Sequence, residues 1–328
     1  MKKRTTIKTL ATAAVLAACA AGLHAATDDD QIIVHGEGDS VLGTFDASEV
    51  SYLEFKPAVY PNARIDGEGN ILIKLSPDVS FKMINVEGGV DYTLANRGTA
   101  ITAWDATKHL DSFYLGQYEV TQGVYKEITD SVPASQTATG DNYPVALVSW
   151  NMIAGSGDNF LTAINTKLAE IKENNPAVAA ALGNREFRLP SEWEWEYAAA
   201  GGKDYATLNY YFSGTTESTA EALETVAVNS VDPNKATSVA KVGSKLPNNL
   251  GLYDMSGNVY EWCSGLGYPA DPTTPGYQSD TSTSLNSANR PPRGGGWFYT
   301  NTSYFRVSRR LSSAAGYVSN SVGFRLAL

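Results

Sequence analysis

The chain has 328 residues, an apolar content of 43% and a formal net charge of −10. Its length and apolar content allow one large domain, or one domain with an appendage, with a full hydrophobic core. The first 18 residues contain four basic and no acidic side chains, so the remainder carries a charge of −14. This acidity excludes nucleic-acid binding through general electrostatics.

The N-terminus has the composition of an export signal. Basic residues precede an apolar run, Leu10–Ala21, that is too short to span a bilayer. Two processing sites compete: Leu16–Cys19 resembles the lipobox of bacterial lipoproteins, and Leu23-His24-Ala25 resembles an ordinary cleavage site. We assign residues 1–26 to a signal segment and predict an exported protein of a bacterial cell envelope, either an outer-membrane lipoprotein or a periplasmic or secreted protein. We expect membrane contact only through a lipid anchor at Cys19.

The chain contains two cysteines, Cys19 and Cys263. Once Cys19 is removed or acylated, Cys263 has no partner within the chain. An internal disulfide and a cysteine-based metal site are therefore both excluded.

Short apolar runs separated by Gly and Pro follow the signal and predict a small β appendage over residues 27–78. The main domain is predicted over residues 79–328. It begins with strands, and Thr121 is a predicted helix N-cap. Apolar residues at helical spacing between Asn159 and Leu182 predict a helix that Pro176 breaks in two.

A second helix is predicted to begin at Ser191, which forms a capping box with Glu194. This helix alternates Trp and Glu and ends at Gly201. We interpret the alternation as core packing on one side and a solvated acidic surface on the other.

Seven motifs stand in the order seen in formylglycine-generating-enzyme (sulfatase-modifying factor) domains, which the chain resembles from about Phe81 to Leu328. They are Glu87-Gly-Gly89, Tyr118-Glu-Val-Thr121, Pro144-Val-Ala-Leu-Val-Ser-Trp150, Phe187-Arg-Leu-Pro-Ser-Glu-Trp-Glu-Trp-Glu-Tyr197, Asn249-Leu-Gly-Leu-Tyr-Asp-Met-Ser-Gly-Asn-Val-Tyr-Glu-Trp262, Arg293-Gly-Gly-Gly-Trp297 and Gly323-Phe-Arg325. The resemblance implies an α+β, C-type-lectin-like fold with small sheets, two helices and much irregular structure.

The enzymes of this family use two copper-binding cysteines, five residues apart, that follow the Gly-Gly of the motif at Arg293. Here Tyr299 and Tyr304 take those positions. Thiolate copper chemistry needs soft sulfur ligands, so we expect no copper and no sulfatase-activating chemistry. A related branch uses histidine-ligated iron, but the three histidines of this chain do not supply such a site.

The resemblance also implies a calcium ion at the fifth of these motifs, Asn249–Trp262, which we call the central motif. Its ligands would be the side chains of Asp254 and Glu261 and the carbonyl oxygens of Gly257 and Val259, and oxygen ligands on a tight turn suit Ca²⁺. The alternative is that Asp254 caps a turn while Glu261 pairs with a C-terminal arginine.

The C-terminal tail, residues 281–328, contains six arginines and no Asp, Glu or Lys. Its mixture of aromatic and small polar residues is typical of a binding surface. It also resembles the variable proteins of diversity-generating retroelements, which share the fold and carry a diversified cassette between Gly-Gly-x-Trp and Gly-Phe-Arg. The alternative is an ordinary loop surface, and both interpretations predict ligand binding here. The predicted ligand-binding residues are Trp297, Phe298, Tyr299, Asn301, Ser303, Tyr304, Arg309, Leu311, Ser312, Tyr317, Val318 and Asn320.

From these observations we predict a noncatalytic, exported ligand-binding protein. The ligand is not identified by the sequence; a glycan and a surface protein are the two expected classes. The alternatives are an enzyme with a cysteine-independent mechanism and a component of an envelope assembly.

Overall fold

A computed structural model describes residues 24–28, 31–35, 41–46, 60–94, 107–231, 235–265 and 289–328. Most of the predicted signal segment, including Cys19, lies outside the described residues. No helix within the described ranges has the length and apolar character needed to cross a membrane.

The chain divides into two compact units, Met1–Val59 and Tyr60–Leu328. In the first unit, three antiparallel strands form a sheet of order β1-β2-β3. They are β1 (His24–Asp28), β2 (Gln31–His35) and β3 (Val41–Asp46).

The second unit begins with a four-stranded antiparallel sheet of order β4-β5-β6-β9. Its strands are β4 (Asn62–Ile65), β5 (Ile71–Lys74), β6 (Ser80–Val86) and β9 (Phe113–Gly116). This division differs from the predicted domain boundary at residue 78, because β5 pairs with β6 across that position. Ile71 and Ile73 are fully buried in the main core, so their burial ties this segment to the second unit.

Most helices lie between β9 and the central motif. Thr121 caps α1, and the chain breaks between α3 and α4 at Pro176, as predicted. The helices are α1 (Gln122–Thr129), α2 (Trp150–Ala154), α3 (Phe160–Asn174), α4 (Pro176–Leu182), α5 (Glu192–Ala199), α6 (Tyr205–Leu208) and α7 (Ala220–Val226).

Helix α5 begins with the predicted capping box, in which Ser191 and Glu194 bond each other's backbone N–H groups. The prediction of a solvated acidic side was wrong, because Glu192 and Glu196 are both buried. Their charges are compensated by arginines of the C-terminal tail, more than 90 residues away in sequence. A pattern confined to the helix cannot reveal such partners.

The central motif and the tail meet in a small mixed sheet of order β12-β10-β14. Strand β10 (Tyr260–Trp262) pairs antiparallel with β12 (Pro292–Arg293) and parallel with β14 (Val322–Gly323). The tail residues between β12 and β14 therefore leave this sheet and return to it. The remaining strands are β7 (Val90–Thr93), β8 (Thr107–Leu110), β11 (Asn289–Arg290) and β13 (Ser313–Ala314).

Candidate ligand-binding surface

A tight glycine turn directs the tail out of the small sheet. Gly294 and Gly295 have φ values of +98° and +91°, a region that favours glycine over residues with a side chain. A Cβ at Gly295 would lie 2.7 Å from a ring carbon of Phe305. This close approach packs the outgoing chain against the 3₁₀ turn Thr302–Phe305.

Three buried arginines fasten the tail to the body of the domain. Arg293 pairs with Glu196 and Arg310 pairs with Glu192, both on α5. The third, Arg325, donates two hydrogen bonds of 2.6 Å to Glu261.

Moving the tail away would separate these ion pairs and leave uncompensated charges inside the protein, which is unfavourable. The pairs therefore hold the tail in one conformation. The segment between Arg293 and Arg325 is therefore held in place at both ends and in its middle.

The held segment presents a group of contacting aromatic rings. The rings of Tyr299 and Tyr304 lie 4.3 Å apart, centroid to centroid. Phe298 stacks on Tyr299 at 4.3 Å, and Trp297 meets Phe298 edge to face at 5.8 Å. Burial raises the pKa of Tyr299, and Tyr317 and Tyr304 raise it further. We call Trp297, Phe298, Tyr299, Tyr304 and Tyr317 the aromatic face.

Tyr260, on β10, lies directly beneath the aromatic face. Its ring meets that of Tyr299 at 5.3 Å with an interplanar angle of 85°. The hydroxyl of Tyr260 is buried and has no hydrogen-bond partner among the described residues. The sequence did not indicate Tyr260 as a site residue, because Tyr299, which contacts it, lies about 40 residues later in the chain.

The other predicted ligand-binding residues differ in their exposure and in their contacts. Val318 is exposed beside Tyr317, and the guanidinium of Arg309 lies over the ring of Tyr304 at 5.0 Å. Asn301 instead caps the 3₁₀ turn by accepting the N–H of Ser303 at 2.9 Å.

Three further predicted residues also have structural contacts. The carbonyl of Asn320 accepts the indole N–H of Trp297 at 3.1 Å. Leu311 packs on the main core, and Ser312 accepts a hydrogen bond from Asn289 at 2.9 Å.

Concave sites exist elsewhere in the described part of the chain. An open groove of about 670 Å³ runs along α3 and is lined by residues including Asn165 and Phe187. A cavity of about 110 Å³ lies between Phe81, Tyr118 and Val124. Neither includes the aromatic face, which is a surface and not a pocket.

The residues predicted to hold calcium lie in the loop that precedes β10 and in β10 itself. One carboxylate oxygen of Asp254 accepts the N–H of Gly243 at 2.7 Å, and its other oxygen is buried without a hydrogen-bond partner. Both oxygens of Glu261 are already bonded, to Arg325 at 2.6 Å and to the indole N–H of Trp195 at 2.7 Å. Glu261 thus makes the arginine pairing that the sequence left as an alternative.

A third buried carboxylate, Glu119, completes this region and was not predicted as a ligand. Its oxygens accept the side-chain amide of Asn258 at 2.7 Å and the N–H of Val259 at 2.9 Å. Burial raises the pKa of Glu119, and the charges of Asp254 and Glu261 raise it further. Burial also raises the pKa of Asp254 to about 6.

The unbonded, buried oxygen of Asp254 suits a ligand role. The carbonyl oxygens of Gly257 and Val259 remain the predicted backbone ligands. Glu261 fits only if it releases Arg325. Among the described residues, no three His, Cys, Asp or Glu side chains form a group that could hold a metal, so calcium stays a prediction.

Comparison with known families agrees with this geometry. Residues 76–328 match the model of the sulfatase-modifying factor enzyme 1-like domain. The chain belongs to this family. The expected C-type-lectin-like fold of the formylglycine-generating-enzyme type is thereby confirmed.

Three proteins are similar to this chain over different shares of its length. The chaperone protein LppX of Paenibacillus barcinonensis is 28% identical over 67% of this chain and 79% of its own length. The mouse protein named inactive C-alpha-formylglycine-generating enzyme 2 is 26% identical over 56% of this chain and 56% of its own length. The structure of Treponema denticola variable protein 1 covers 79% of this chain and 98% of its own, with 25% identity and a TM-score of 0.57.

Proposed function

We propose that this protein is a noncatalytic ligand-binding member of its family and that it binds its ligand through the aromatic face. One observation carries the proposal: the rings of Tyr299 and Tyr304 contact each other at 4.3 Å, at the positions where the resemblance places the copper-binding cysteines. The backbone still brings the side chains at these two positions together, but each position holds a tyrosine in place of a cysteine.

The exposure of the surrounding residues supports binding. Phe298, Tyr317 and Val318 are among the large apolar side chains that the described residues expose to solvent, at 40%, 47% and 47%. Aromatic residues are enriched at binding interfaces because they supply large contact area with few rotatable bonds. Buried ion pairs hold the backbone beneath them, so little order has to be gained on binding.

The relatives support the same proposal. The mouse relative is named as inactive, and the Treponema denticola structure is named as a variable protein.

We propose in addition that the cassette from Arg293 to Leu328 is diversified by a retroelement. A nearby reverse transcriptase gene and a near-copy of this coding segment, differing only at adenines, would support that step; a locus with neither would contradict it.

The expected ligand classes remain a glycan and a surface protein. An exported protein of the cell envelope would encounter ligands of both classes. The relative named as a chaperone favours a protein ligand.

Binding is tested by screening the full-length protein on a glycan array and on a displayed peptide library. The double variant Tyr299→Ala/Tyr304→Ala should lose binding to ligands that the wild type retains, by about 100-fold or more, since two aromatic contacts near the centre are removed. Tyr205→Ala is the matched control, because Tyr205 packs on Tyr92 and Tyr197, away from the aromatic face. Unchanged affinity in the double variant would refute the assignment.

A further inference from the structure

The tail is rich in arginine. Residues 281–328 contain six arginines and no acidic side chain. Arg293, Arg310 and Arg325 are paired with carboxylates of the body of the domain. Arg290 lies over the ring of Trp150 at 4.3 Å.

Arg306 and Arg309 have no carboxylate partner among the described residues. Each lies over a tyrosine ring: Arg309 over Tyr304 at 5.0 Å and Arg306 over Tyr211 at 4.9 Å. The Nε atoms of both arginines are buried and make no hydrogen bond within the described part of the chain. Buried donors are normally bonded, so this pair of guanidinium groups retains unused bonding capacity.

Of the two, Arg309 belongs to the surface that we propose for ligand binding, because its guanidinium lies over Tyr304. The N–H of Arg309 donates to the carbonyl of Arg306 at 2.9 Å, so the two residues share one turn of chain. Tyr211, Tyr299 and Tyr304 pack against the same apolar cluster.

Tyr260 is a further residue with an unused donor, and its ring contacts Tyr299, which in turn contacts Tyr304. Tyr260 is 2% exposed, and its hydroxyl has no partner among the described residues. Burial raises the pKa of Tyr260, and the nearby charge of Arg309 opposes that shift. The hydroxyl therefore keeps its proton at neutral pH and can donate a hydrogen bond.

We infer that Arg309 and the hydroxyl of Tyr260 form an anion-recognising subsite beside Tyr299 and Tyr304, and that this subsite accepts a carboxylate side chain from an acidic segment of a partner protein. A guanidinium group matches a carboxylate because its planar donors can bond both oxygens. The inference rests on the proposed function and specifies its ligand.

The surroundings of the subsite favour a protein over a sugar. The exposed Phe298 and Val318 offer apolar contact area for which an acidic protein loop supplies apolar side chains. Tyrosine and arginine together at the centre of a patch are typical of protein–protein contacts.

The test is a selection of random displayed heptapeptides on the full-length wild-type protein. Peptides that depend on Tyr304 are isolated by counter-selection against Tyr304→Ala, and their dissociation constants are then measured. We expect Asp and Glu to be enriched in these peptides. Their affinity for Arg309→Gln should be lower by about tenfold or more, as for the loss of a charge-assisted hydrogen bond.

Two further variants make the result specific. Arg309→Lys keeps the charge and should retain part of the affinity that Arg309→Gln loses. Arg185→Gln removes an exposed arginine at the end of α4 and should leave affinity unchanged. The melting temperature of each variant is measured to show that it folds.

Two results would overturn the inference. Tyr304-dependent peptides without acidic enrichment, or with the same affinity for Arg309→Gln, would refute the subsite and leave the proposed function standing. If no Tyr304-dependent peptide is selected, the ligand is not a protein segment of this kind. The proposed function itself fails only if the glycan array also yields no Tyr304-dependent ligand.

Discussion

The ring of Tyr299 lies 4.3 Å from the ring of Tyr304, centroid to centroid, at an interplanar angle of 34°. Four residues separate them in the sequence, and the 3₁₀ turn Thr302–Phe305 brings them together. The chain thus brings the side chains at positions 299 and 304 together, although both are tyrosines and neither is a copper-binding cysteine.

Restoring thiols at these two positions should restore a metal site. The double variant Tyr299→Cys/Tyr304→Cys is expected to bind one Cu(I) ion per chain, because paired thiolates are soft ligands. Binding is measured by competition with a chromogenic Cu(I) chelator, with each single variant as the control. A double variant that binds copper no better than the single variants would show that the two positions do not meet as described.

Breaking the buried pair Arg325–Glu261 should destabilise the protein strongly. Glu261→Gln is expected to lower the free energy of unfolding by about 3–5 kcal/mol, because it removes the carboxylate that bonds the buried guanidinium directly. Lys203 and Glu87 form an exposed pair, at 59% and 67%, and Glu87→Gln should cost only about 0–1 kcal/mol. Equal effects of the two substitutions in urea unfolding would contradict this account of how the tail is fastened.

In the absence of calcium, the free energy of unfolding should depend on pH through the titration of Asp254. Its pKa in the folded protein is raised from 3.8 to about 6, mainly by burial. The folded state therefore holds a proton that the unfolded state releases, and this group's contribution falls as pH rises from about 4 to about 6.

The loss through this window should be on the order of 2–3 kcal/mol. It is measured as the difference between wild type and Asp254→Asn in urea unfolding with EDTA, at pH 4.5 and pH 7. A difference that does not change with pH would show that the Asp254 carboxyl keeps its ordinary pKa.

Calcium, if bound at Asp254, should raise the melting temperature at pH 7.5 and have a smaller effect at pH 5, where protons compete for the same oxygen. Magnesium should have little effect at equal concentration, because it requires strict octahedral geometry. Asp254→Asn should abolish the calcium effect. An equal increase in the variant would place the ion elsewhere.

The sequence predicted those features that depend on neighbouring residues. The capping box of Ser191 and Glu194 and the break at Pro176 were correct because each depends on residues a few positions apart. The motifs also led to the fold, since their order along the chain is typical of one family.

Features that depend on distant partners were not predicted. The burial of Glu192 and Glu196 requires arginines about 100 residues later. The place of Tyr260 beneath the aromatic face likewise depends on a tail that only the folded chain brings over it.

The central claim, that the aromatic face binds the ligand, is tested most directly by hydrogen–deuterium exchange with the tightest ligand from the peptide or glycan screen. We predict increased protection in residues 297–304, 309–311 and 317–320, and no change along α3 beside the open groove. Protection confined to the α3 groove, with exchange in residues 297–304 unaltered, would contradict the account.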